Sequence, residues 1–476
     1  APATQLAVSL GKLELPLARL KTGTPPRLDG KTIDWDRLEG QPSSNPPAPF
    51  SYVRAARGEP VTLADRLITC HRTATNARTH ELVRANAHLL PTYEGPGPRY
   101  CPSLHAKVER FSGRDSHGVW LEPEGLSTPL VYPNGLSSAF PEEVQAQVIN
   151  SIEGLEKTTI IRPAYDVEYD FVDPQAVDHT LRVRSCKGLY LAGQVLGTTG
   201  YEEAAALGLM AGSNAALEPA GEPSFTVGRS EGYIGVLIDD LVTQGTTEPY
   251  RMFTSRAEYR LQLRQDNADL RLTARGAAAG VVVDPERIEL AARKARGAEE
   301  ALNALESVRL PAAEWVSLGV SNIKEQGPAR SAADMLTMPE TQLAEVEAVL
   351  VAKGALPATG VEPLAREEVT ISSKYANYLR RQEAEVARWQ AHEGTTIPAD
   401  FDYASLSSLS AEEVEKLSSA RPLTLGEASR ISGITPNSLT YLLAHLRSSR
   451  MRAARAERAA KAAQDDAANL PSGASA

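Results

Sequence analysis

Apolar residues in Pro141–Leu155 recur at helical spacing (Val144, Val148, Ile149, Ile152, Leu155), and Glu142 and Glu143 fall in the first turn, where the helix dipole favours acids. The spacing predicts a helix there. Short apolar or alternating runs at Val119-Trp120-Leu121 and Thr159–Arg162 predict strands. Leu67–Leu90 combines a short strand with a helical pattern ending at Leu89-Leu90. Residues 20–60 and Gly95–Pro102 are rich in Pro and Gly and predict loops. Gly188-Leu189-Tyr190-Leu191-Ala192-Gly193 reads as a buried strand, followed by a glycine loop and a helix over Tyr201–Leu217. After Thr273 the chain turns Ala- and Glu-rich with helical period, broken near Gly327-Pro328 and Gly354. Further helices are expected within 370–460, and the small, polar stretch Ala463–Ala476 is expected to be disordered. Strands and helices therefore fill the first half, and the C-terminal part is helical.

Composition removes several classes. No run approaches the roughly 20 apolar residues that cross a bilayer, and the first sixteen residues lack the basic region of a signal peptide. Cys70, Cys101 and Cys186 are too few for a disulfide framework and form no C-x-x-C pair, so neither a zinc site nor a dithiol motif is expected. A net charge of −10 argues against a wholly basic nucleic-acid binder but leaves room for a local basic patch.

Candidate chemistry gathers at a few places. In Gly193-Gln194-Val195-Leu196-Gly197-Thr198-Thr199-Gly200-Tyr201 a predicted strand enters a three-glycine loop that ends at a helix N-terminus. Glycines permit close backbone approach to a planar ligand, and the free N–H groups suit an anionic edge such as that of a reduced flavin. The same pattern also fits a plain strand–turn–helix corner. In Gly97-Pro98-Arg99-Tyr100-Cys101-Pro102-Ser103 a thiol sits two residues from an arginine, which favours the nucleophilic thiolate. The alternative is a buried, inert thiol, the commoner fate of cysteine and the one expected for Cys70 and Cys186. Arg256, Arg260, Arg264 and Arg271 surround Tyr259 and read as a solvated face paired with Glu258, Asp266 and Asp269. The run Arg447, Arg450, Arg452, Arg455, Arg458 and Lys461 suits phosphate contact, or is a solvated charged end. No G-x-G-x-x-G follows an opening strand, so such a chain alone is expected to bind FAD weakly.

Several long motifs occur in one order and carry a family resemblance. They are Leu20–Arg27, Gly97–Ser103, Leu121-Glu122-Pro123-Glu124-Gly125, Tyr132-Pro133-Asn134-Gly135, Gly193-Gln194 with Gly197–Ala206, Glu248–Arg260 and Asp266-Asn267-Ala268-Asp269. Through them the chain resembles the MnmG (GidA) family, closely over about Lys12–Thr273 and more weakly at Lys374–Gln382 and Arg421–Leu446. The resemblance implies an α/β FAD/NAD-binding, Rossmann-like, two-dinucleotide flavoprotein with a C-terminal all-helical domain.

It implies boundaries at 1–225 for the FAD domain with an inserted NAD domain, 226–360 for a linking region, 361–462 for a helical tRNA- and partner-binding domain, and 463–476 for a tail. The glycine-rich βαβ unit is not among these residues. Implied cofactors are FAD, NADH and methylene-tetrahydrofolate. The implied partners are tRNA, an MnmE-type GTPase and a second copy in a homodimer, in mitochondria if eukaryotic or else in bacterial cytoplasm. Gly193, Gln194, Gly200 and Tyr201 are the implied FAD contacts. The NAD stretch includes Gly97, Pro98, Arg99, Tyr100, Cys101, Pro102, Ser103, Lys107 and Phe111. Cys101 is the implied catalytic thiol, and Arg256, Arg260, Arg450, Arg452 and Arg455 the implied tRNA contacts. A folate-dependent tRNA uridine methyltransferase lacks the long helical part, so residues 276–450 speak against that rival. A non-catalytic tRNA- or partner-binding fragment is the other alternative.

Overall fold

The computed structural model describes residues 4–61, 66–93, 103–257, 259–321, 323–406, 408–431, 434, 438–439 and 441–448, with the backbone alone at 381–393, 412 and 430. The chain divides into two compact units, Ala1–Ala376 and Asn377–Ala476.

The strands of the first unit begin with β1 (Leu17–Thr24), β2 (Arg27–Asp29), β3 (Glu39–Gln41) and β4 (Cys70–Ala74). They continue with β5 (Gly118–Pro123), β6 (Leu130–Asn134), β7 (Ile160–Arg162) and β8 (Tyr165–Val172). Strands β2–β7 form one sheet in the order β3-β4-β5-β6-β2-β7, with antiparallel ladders throughout. Helices α1 (Thr4–Gly11) and α2 (Tyr52–Ala56) precede α3 (Ala77–Ala85), α4 (Leu104–Arg110) and α5 (Glu142–Ile149). Val83, Leu104, Val108, Val144 and Val148 of α3–α5 share a core with Leu28, Val119, Leu121 and Val131 of the sheet. Asn76 starts α3 through a capping box with Thr79, satisfying two otherwise unpaired N–H groups.

Two sequence expectations change here. The predicted loop over 20–60 contains strands, because β1 pairs with β8 along an eight-residue antiparallel ladder from Leu17↔Val172 to Thr24↔Tyr165. Those ladder bonds satisfy the backbone of Lys21–Thr24 and override its turn chemistry. The predicted helix over Pro141–Leu155 ends at Ile149, yet Ile152 and Leu155 are fully buried in the turns beyond it. Their spacing reported burial rather than helix.

Next come α6 (Tyr201–Ala220) and α7 (Tyr233–Gln244), which pack around Leu207, Met210, Leu237, Ile238 and Leu241 with Val172 of β8. The remainder of the first unit holds α8 (Ala268–Ala278), α9 (Pro285–Ser307), α10 (Ala312–Ser317), α11 (Ala332–Leu336) and α12 (Leu343–Ala352). Helices α9–α12 bury Trp315 among Ala301, Leu305, Leu336, Val346 and Leu350. Asp284 caps α9, with Pro285 at its first position, where no N–H is needed. Helix α13 spans Arg366–Glu393. The second unit contains α14 (Ala411–Ala420) and α15 (Leu425–Arg430) around Tyr403, Leu417, Leu425, Leu442 and Leu446.

Candidate functional site

The segment Gly188–Gly193 is not the predicted strand. It is held by isolated bonds, Leu189 accepting from Val183 N at 2.8 Å and Leu191 N donating to Leu181 O at 3.1 Å. Its neighbour is too short for a ladder and begins at Leu181, whose φ is +66°. From there Gly193–Leu196 forms a 3-10 turn. Gly197 follows with φ +77°, and a Cβ there would come within 3.1 Å of the Phe171 ring. Glycine is thus required at that corner. Gly200 then caps the 20-residue helix α6 with extended backbone.

The first turn of α6 is tied across the chain. Glu203 is buried, and its Oε1 accepts from Met252 N at 2.8 Å. A Cβ on Gly200 would collide with Glu203 Oε2 and come within 3.2 Å of Arg251 Nη1. A methyl group there would require the Glu203 carboxylate to shift, and the Arg251 guanidinium lies beside it. Two hydroxyls nearby in sequence or charge, Thr199 Oγ1 and Tyr169 OH, are buried and lack a partner among the described residues. Burial pushes Tyr169 up to about 12, opposed by the nearby charge of Arg251. Gly193, Gln194, Gly200 and Tyr201 meet at this one end: Gly193 abuts Ala204, Gln194 is exposed, and Tyr201 is 88% exposed.

Behind it lies a charged cluster that the sequence reading missed. Arg229 Nη1 donates to Asp239 Oδ2 at 3.1 Å and Asp240 Oδ1 at 2.6 Å. Tyr250 OH donates to Asp240 Oδ2 at 2.7 Å, and His179 Nε2 lies 3.1 Å from Asp239 Oδ1. Burial first, then the Asp240 charge, pushes the Tyr250 phenol up. The available signal was Asp239-Asp240 inside the apolar helical run Ile234–Val242.

This cluster takes in one of the expected tRNA contacts. Arg256 stacks 4.6 Å from the Tyr250 ring centroid, with Nη1 3.6 Å from Asp240 Oδ2. Arg260 is exposed and has no ion-pair partner among the described residues. Arg264 bonds Asp266 at 3.1 Å and Glu368 at 3.3 Å, whereas Asp269 pairs with Lys294 at 3.0 Å. Arg450, Arg452 and Arg455 lie outside the described residues.

Gly97, Pro98, Arg99, Tyr100, Cys101 and Pro102 also lie outside the described residues. Of the NAD stretch, Ser103 caps α4 by accepting from Ala106 N, Lys107 Nζ donates to Gly135 O at 3.0 Å, and Phe111 is exposed. The Phe111 ring packs edge-on against His117, whose ring lies 5.2 Å from that of His80. Burial lowers both imidazoles below their ordinary value. Among the described residues no group of three or more His, Cys, Asp or Glu could hold a metal ion. No described helix is long and apolar enough to cross a membrane.

Three family models match the chain. Glucose inhibited division protein A matches residues 1–223, the MnmG/GidA C-terminal helical domain 285–383, and the MnmG/GidA C-terminal helical bundle 385–471, the latter two described as parts of a tRNA-modifying enzyme. Two solved structures of Aquifex aeolicus GidA, in crystal forms II and I, are similar at 41% identity. Their TM-scores are 0.77 and 0.76; they cover 93% and 92% of this chain, which covers 69% and 70% of theirs.

Proposed function

Because the chain belongs to the MnmG/GidA family of flavin-dependent enzymes that modify the tRNA wobble uridine, we propose that it adds a carboxymethylaminomethyl-type group at C5 of U34, using FAD and NADH, with methylene-tetrahydrofolate as carbon donor and an MnmE-type GTPase as partner. The observation that carries this reading is the end of α6. There a glycine turn, a free helix N-terminus and the unpartnered Thr199 hydroxyl meet at the residues the family motif marks.

These residues fit FAD. Gly193 and Gly200 would let the ring approach, Gln194 and Tyr201 would border it, and the first-turn N–H groups of α6 would hold its anionic edge. When bound, the flavin supplies two-electron transfer. The chain's own residues position and exclude. Glu203, held by Met252 N, fixes the 250–253 segment against α6 and keeps Arg251 beside Gly200. In this reading Cys101, next to Arg99, is the thiolate nucleophile, and the stretch ending in Ser103, Lys107 and Phe111 receives NADH. Arg260 and the tail Arg450, Arg452 and Arg455 contact tRNA phosphates. The working form is a homodimer, mitochondrial if the source is eukaryotic.

The test is mass spectrometry of wobble nucleosides from cells lacking the gene and re-expressing either wild type or Cys101→Ser. Wild type should restore the C5-modified uridine and Cys101→Ser should not, with normal protein level and flavin content. Restoration by Cys101→Ser would return the cysteine to the structural class. Wild-type levels of the C5-modified uridine in the deletion strain would overturn the reading.

A further inference from the structure

We propose that Tyr201 and Phe253 form an aromatic platform for unstacked anticodon bases, flanked by Arg251 and Arg260 as phosphate contacts, while Arg256 serves the fold and not the RNA. This rests on the tRNA reading above and assigns its residues.

Tyr201 is 88% exposed although it begins a helix whose next residues are tied down. The bond from Met252 N to Glu203 Oε1 brings the following residue, Phe253, to the same end, and Phe253 is 37% exposed. Arg251, one residue before Met252, lies beside Gly200, one residue before Tyr201. Arg251, Met252 and with them Phe253 thus lie by the first turn of α6 that Tyr201 begins, and Thr254, Ser255 and Arg260 further along the chain are exposed. Aromatic faces interleaved with cations are the arrangement that holds single-stranded nucleic acid: bases stack on the rings, and the cations follow the backbone. A wobble base must leave its stack before its C5 can be reached, so a platform at the cofactor end meets the need of the reaction. Arg256, from the same sequence run, turns the other way. It stacks on Tyr250, its Nη1 faces Asp240, and its Nε is buried.

The test uses the full chain and an anticodon stem-loop RNA carrying 5-fluorouridine at the wobble position. Binding is measured across salt, with the fluorine resonance as a reporter of stacking. Tyr201→Ala and Phe253→Ala should each weaken binding by about 5- to 150-fold, the range for one lost base–aromatic stack. They should also return the fluorine shift toward that of free RNA, whereas Tyr201→Phe should keep both properties. Arg260→Ala should reduce the log–log salt slope by about 0.7, the value for one phosphate on a single strand. Arg256→Ala should leave that slope unchanged and lower the unfolding midpoint. Wild-type binding that Tyr201→Ala does not alter would overturn the platform alone. A wild-type chain that does not bind the stem-loop would overturn the tRNA reading and the platform with it.

Discussion

Around α7 two buried carboxylates are paired with cations. Asp239 and Asp240 are 5% and 3% exposed, Arg229 and Arg256 supply the cations, and Glu203 lies buried at the adjoining end of α6. Beneath the six-stranded sheet the buried polar groups are neutral. Gln145 bonds Phe140 O, Ala164 O and Ala164 N, and Thr75 links His80 to the His117 backbone. Burying charge is costly even when it is paired, and apolar replacements of the same shape often do as well for stability. A region that keeps three buried carboxylates beside an exposed aromatic end is thus better explained by the site it positions than by the fold it holds. The sheet region, by contrast, satisfies its polar groups locally and reads as scaffold.

The largest effect should come from breaking the charged side. Arg229→Met leaves two buried carboxylates short of their shared donor and should cost about 3–5 kcal/mol, as removal of one partner of a buried pair does. Urea unfolding should show the midpoint falling with unchanged slope. On the scaffold side, Leu121→Ala at a fully buried position between β4 and β6 should cost about 2–5 kcal/mol by cavity formation. It should leave flavin affinity unaltered. If Leu121→Ala changed flavin affinity more than Arg229→Met did, the division between the regions would be wrong.

Much of this contrast was hidden in the sequence. The α/β-then-helical order was legible because helical patterns in Leu67–Leu90, in Tyr201–Leu217 and after Thr273 fall on α3, α6 and α9. The glycine turn into α6 was legible because corners and close approaches demand glycine. Strand β1 was not, since Lys21-Thr22-Gly23-Thr24 reads as a turn and only the remote partner β8 makes it a strand. Nor was the inward turn of Arg256: its spacing from Arg260 suggested one shared face, and Asp240 and Tyr250 divide them. Periodicity records which positions are apolar, and it cannot say where a buried charge finds its partner.

Acid should separate the regions more gently. His80 and His117 are held below their ordinary value of 6.5, first by burial, then by Arg84 for His80 and by the neighbouring His80 for His117. The unfolded chain therefore takes up these protons before the folded one. Their contribution is complete above about pH 6.5 and is lost as pH falls from there through the lowered folded values. Hydrogen exchange in α3 and β5 should rise across that window, and His117→Gln should flatten the response. The smallest effect should be Asn76→Ala, which removes the α3 cap and should cost about 1 kcal/mol, measured as a shift in thermal midpoint with tRNA binding intact.

The claim that the end of α6 is the cofactor site is tested most directly by FAD affinity, read from flavin fluorescence, in wild type and Gly200→Ala. A methyl group there collides with Glu203 Oε2 and crowds Arg251. Affinity should fall roughly tenfold or more, equivalent to about 1.4 kcal/mol, with the urea midpoint nearly unchanged. Equal FAD affinity in the two proteins would contradict the assignment.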